Sequence, residues 1–121
     1  LPEQVEAYVV MLLANYVERT NFLPEESFAE AYMKLSQPYN YSAKELGDTC
    51  LFVTGVFPTY GSSKGINRSY YQNIGSSSYE MVAKTMHGEL FDALATHFIF
   101  LSEFIEITVS SSKQQNYNLF R

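Results

Sequence analysis

Tryptophan is absent from this chain, and cysteine occurs once, at Cys50. A single thiol excludes an intramolecular disulfide and any zinc or iron–sulfur site built from several cysteines. Packing alone must therefore hold the fold, and a reducing cytoplasmic setting is the expected one. Basic residues are scarce as well: 8 Lys and Arg stand against 13 Asp and Glu, a net charge of −5. Nucleic-acid binders displace counterions with a basic stripe, so no nucleic-acid partner is expected. The deficit lies in the front half, where residues 1–60 hold three basic side chains against eight acids, while residues 61–121 hold five of each. The longest apolar run, Ala7 to Ala14, falls far short of the ~20 residues a membrane span needs. No basic flank makes it a signal peptide, and no membrane partner is expected. The chain opens at Leu1 and not at Met, which leaves room for a processed segment ahead of it.

What is present is enough for one hydrophobic core. A length of 121 residues with 46% apolar and 16% aromatic side chains suits a single globular domain that needs no metal or disulfide staple. The apolar spacing is helical almost throughout. Val5, Tyr8, Val9, Leu12, Leu13, Tyr16 and Val17 follow the i, i+3, i+4 rule, and Pro2, Glu3 and Glu6 suit a helix start, so a first helix is expected over about residues 2–19. Phe28, Ala31, Tyr32 and Leu35 predict a short second helix behind Pro24-Glu25-Glu26 that ends before Pro38. Ser42-Ala43-Lys44-Glu45 reads as a capping box opening a third helix, stopped by Pro58. Thr59 to Asn67, with Gly61 and Gly65, is loop chemistry. A fourth helix is expected from Asn67 or Arg68 to Thr85.

The fifth helix carries the longest seam: His87, Phe91, Leu94, Phe98, Leu101, Ile105 and Thr108 alternate steps of four and three. The sequence thus predicts an all-α, single-domain antiparallel bundle of about five helices over 1–109, with 110–121 as a polar C-terminal tail.

Catalytic signatures are missing. His87 and His97 follow Lys84 and Leu94 by three residues, so neither completes the Glu-x-x-His pair of a di-iron bundle, and there is no His-Glu-x-x-His. No metal site and no cofactor are expected. Ser62-Ser63 and Ser76-Ser77-Ser78 lack a nucleophile elbow; Cys50, on an apolar stripe, reads as an inert small hydrophobe. The segment Gly61-Ser62-Ser63-Lys64-Gly65 lacks the phosphate-loop pattern and reads as a flexible connection. Asn40-Tyr41-Ser42 and Asn67-Arg68-Ser69 match the glycosylation sequon, but without a secretory signal they carry no weight. Tyr39, Tyr41, Tyr60, Tyr70 and Tyr71 flank the central connections as half-buried rim packing or an aromatic recognition patch.

The third helix is less ordinary. Gly47, Leu51 and Gly55 recur every four residues beside Asp48. Interior glycine costs about 0.5–1 kcal/mol against alanine, which implies close helix approach, with Gly75 and Ser78 as the matching small surface, or a slot for a ligand. The pattern Gly47-Asp48-x-x-Leu51-Phe52-x-x-Gly55-x-Phe57-Pro58, followed by Tyr70-Tyr71, Gly75 and Tyr79, resembles the central motif of a family of small, all-helical bacterial proteins of uncharacterised function. The resemblance covers about residues 45–85 and implies a helical fold, with no activity, cofactor or catalytic residue attached.

Two functional readings follow. The first is a non-enzymatic interaction or adaptor module of a bacterial cytosol, working through a protein partner or as a homodimer. Val10 and Met11 give the first helix apolar surface away from its inner face. Ile99, with Phe100 at its edge, sits among Glu89, Asp92, Glu103 and Glu106 as an anchor ringed by acids that no nearby Lys or Arg neutralises. The second is a small-molecule pocket protein or minor enzyme, with Asp48, Tyr70, Tyr71, Tyr79 and His97 around a cavity left by Gly47, Gly55 and Gly75.

Overall fold

Helix punctuation in the computed structural model follows local chemistry closely. The structure describes residues 1–19, 21–35, 42–85 and 88–119, with side chains as far as 112. Helix α1 spans Glu3–Tyr16 and α2 Phe28–Met33. Helix α3 spans Ala43–Val56, and α4 Arg68–Thr85. Helix α5 spans Gly88–Thr96 and α6 Phe98–Leu119. The Ser42 hydroxyl accepts the Glu45 amide at 3.1 Å, the serine half of the expected capping box. Ser27 does the same for Glu30, also at 3.1 Å, so α2 starts at a second cap just behind Pro24-Glu25-Glu26. Between α3 and α4, Gly61 and Gly65 adopt left-handed φ values of 87° and 74° around a 3₁₀ turn at Ser62–Lys64.

The described residues form an all-helical bundle of six helices, with no strand among them. Helix α3 is its axis. Every residue from Leu46 to Gly55 is buried, because α4, α6, α1 and α2 pack around it. A helix enclosed on all sides has no solvent face on which to put polar residues, so Asp48, Thr49 and Thr54 are buried with Cys50 and Leu51. Helix α4 lies along α3 and also carries α5; α6 packs on α3; α1 rests on α3 and α5.

The single long fifth helix expected from the sequence is two. The ladder runs through the His97 amide to the Ala93 carbonyl at 3.0 Å and resumes from Leu101 to His97 at 2.8 Å, with a turn at His97. The break redirects the chain from α4, which α5 follows, to α3, which α6 follows. Residues 110–119, read as tail, continue α6, so the polar composition there does not mark the end of helical structure. Tyr39, Tyr41 and His87 lie outside the described residues.

Candidate functional site

The glycine-lined space expected beside α3 is filled. A Cβ at Gly47 would come within 2.5 Å of the Tyr79 ring, one at Gly55 within 2.6 Å of Ile105, and one at Gly75 would overlap Phe98 and Cys50. These glycines allow side chains of α4 and α6 to touch the α3 backbone, and α3 side chains to touch α4. Gly47, Gly55 and Gly75 are therefore explained by packing. Asp48 sits in the same layer. Tyr8 and Tyr79 both donate to its Oδ1, at 2.6 and 2.7 Å, and Lys44 donates to Oδ2 at 3.1 Å. Burial pushes both phenols well above their ordinary pKa, and the Asp48 charge pushes them further. They remain neutral donors, so the cluster ties α1 and α4 to α3 and offers no ionised phenol as a base.

The other residues of the expected pocket lie elsewhere. Tyr70 and Tyr71 pack edge-to-face 4.9 Å apart, with Phe28 and Tyr60 on Tyr71, beside the α3–α4 connection. The Tyr70 hydroxyl accepts the Ala29 amide at 3.1 Å and fixes the start of α2. His97 is exposed at the α5–α6 turn. Asp48, Gly55, Tyr70, Tyr71, Tyr79 and His97 thus do not converge on one cavity. Burial raises the Cys50 thiol above its usual range and leaves it an unreactive core side chain. Among the described residues no cluster of His, Cys, Asp and Glu could hold a metal ion, and no helix is long and apolar enough to cross a membrane.

The interface residues fare differently. Val10, Met11, Ile99 and Phe100 are all exposed, but each adjacent pair is split, because consecutive helical residues point about 100° apart. Met11 turns toward a shallow hollow with Ala7, Gly88 and Leu90. Val10 turns the other way, toward α6. Ile99, 55% exposed, projects on the side of Glu103 and Glu106, while Phe100 turns back toward α1. The acidic ring around Ile99 is also partly closed: Arg68 donates to Glu106 at 2.9 Å, a neutralising cation from another helix.

Val10 and Phe100 meet across one groove between α1 and α6, about 490 Å³ in volume. Its walls are Val10 and Leu13 on one side and Phe100 and Phe104 on the other. Its floor is closed by Val9, Leu101 and Ile105, all buried. The two phenylalanine rings stack at 6.2 Å with planes 21° apart and remain 52% and 51% exposed. Ile107, also exposed, extends their stripe at i, i+4, i+7. Sequence reasoning missed Leu13, Phe104 and Ile107, although the 4, 3 spacing of Phe100, Phe104 and Ile107 is a second apolar stripe beside the core seam.

No protein-family model, no curated protein and no solved structure matches the chain.

Proposed function

We propose that this protein is a non-enzymatic interaction module whose α1–α6 groove receives an apolar segment of a protein partner. The observation that carries the reading is the half-exposed Phe100–Phe104 stack facing Val10 over a closed apolar floor. Aromatic side chains left in water beside a packed floor are what a docking surface requires and what a monomer's own stability does not. The filled glycine layer and the fully partnered Asp48 cluster support the same reading, since they leave the axis of the bundle to structure. In this reading the protein is one of the small helical bacterial proteins it resembles. It works in the cytosol, where its one thiol stays reduced.

Site-specific photocrosslinking tests it. A benzophenone amino acid at Val10 and another at Phe104, irradiated in the cells that make the protein, should give the same discrete adduct. That adduct should disappear when Phe100→Ser is combined with either. An equal adduct from the exposed Glu80, or none from the groove positions, contradicts the proposal.

A further inference from the structure

The groove is walled on both sides by helices whose free edges carry acids. Glu6 is the charged side chain of its described lining, which also includes Leu1. Glu3 precedes it by one turn of α1, and Glu103 lies beside Phe100 and Ile107 on α6; both are exposed. The described basic side chains with partners are engaged on other surfaces: Lys44 with Asp48, Arg68 with Glu106, and Arg19 over the Tyr16 ring. From Phe100 to Thr108, α6 offers about 12 Å of wall at 1.5 Å per residue, and α1, from Glu6 to Leu13, a little less. That length suits two to three turns of helix, laid where a further member of the bundle would pack.

From this charge arrangement we infer the occupant, an inference that rests on the docking reading above. It is an amphipathic helix of another protein, apolar at i, i+3 or i+4 and i+7, with Lys or Arg flanking that stripe. The apolar stripe meets Val10, Leu13, Phe100 and Phe104, and the flanking cations meet Glu3, Glu6 and Glu103. A second copy of this chain suits the groove less well. A two-fold interface would set Glu6 and Glu103 of one groove against the same acids of the other, in a chain that already carries −5.

The test uses the full chain and two labelled helical peptides with one leucine stripe, flanked by lysine in one and by glutamate in the other, read by fluorescence anisotropy. The lysine peptide should bind at least about ten-fold more tightly. Raising salt from about 0.05 to 0.5 M should weaken it, and Glu6→Gln with Glu103→Gln should flatten that salt dependence. Phe104→Ser, which keeps the net charge, should reduce its affinity about ten-fold; retained affinity means diffuse attraction to an acidic protein and overturns the inference. Equal binding of both peptides, lost in Phe104→Ser, overturns the charge preference while leaving the docking reading standing. Binding of neither peptide, with a concentration-dependent dimer that Phe104→Ser dissociates, replaces the basic helix by a second copy. Binding of neither to a strict monomer overturns inference and docking reading together.

Discussion

Tyr8 and Tyr79 meet on one oxygen of Asp48, and what each residue does there follows from burial. A phenol removed from water resists ionisation, and a carboxylate a hydrogen bond away resists it further. Both pKa values are raised in the folded chain above the unfolded value near 10. The folded state therefore favours the protonated form. Its contribution is fully present below pH ~10 and is lost as pH climbs above that value toward the folded pKa. An alkaline titration followed at 295 nm, with helix content followed in parallel by circular dichroism, should show Tyr8 and Tyr79 ionising only together with the loss of helix. Ionisation of all ten tyrosines near pH 10 with the helices intact would contradict the buried cluster. The same residue-scale logic makes Gly47 and Gly75 unreplaceable by larger side chains, because each lies under an aromatic ring from another helix.

At the scale of elements, Arg68 joins three helices. From the first residue of α4 its Nε and Nη2 donate to the Thr54 carbonyl at 3.1 and 2.8 Å. Nη2 also reaches the Ser102 carbonyl at 3.3 Å, and Nη1 reaches Glu106. Thr54 is in the last turn of α3, where carbonyls lack helical partners, so the guanidinium closes that end and docks α6 in the same act. Arg68→Ala should cost about 1–2 kcal/mol in urea unfolding, below the full ~1.5–3 kcal/mol of buried charge-assisted bonds because the site is partly exposed. Arg68→Lys should recover less than half of that loss, since an ammonium cannot fork between carbonyls. Full recovery by lysine would show that charge alone matters there.

Helix boundaries were legible where local chemistry decides them. Ser42 with Glu45 starts α3, Pro58 follows its end, and Gly61 and Gly65 shape the turn before α4. The break at His97 was not legible, because no proline or glycine marks it; it arises from α5 following α4 and α6 following α3. Nor was Arg68, whose partners lie 14 to 38 residues away. In the candidate site, the exposure of Val10, Met11, Ile99 and Phe100 follows from helical periodicity. That Val10 shares a groove with Phe100, and that Met11 and Ile99 face elsewhere, depends on how α1 lies across the bundle. No local rule encodes that placement.

On the scale of the whole molecule, stability and exposed chemistry are separated. The axis α3, its glycine contacts and the Asp48 cluster hold the bundle, while Val10, Phe100 and Phe104, among the exposed apolar side chains, face one another between α1 and α6. In the proposed function, this groove is where a partner helix docks. Methyl NMR of the full chain, titrated with the leucine–lysine helical peptide, would locate that contact residue by residue. The predicted result is saturable shifts of the Val9, Val10, Leu13, Leu101 and Ile105 methyls, with the Leu46 and Val82 methyls unmoved. Shifts centred on Ile66 beside the tyrosine cluster or on Leu90 beside Met11, or no saturable shift at the groove, would contradict it.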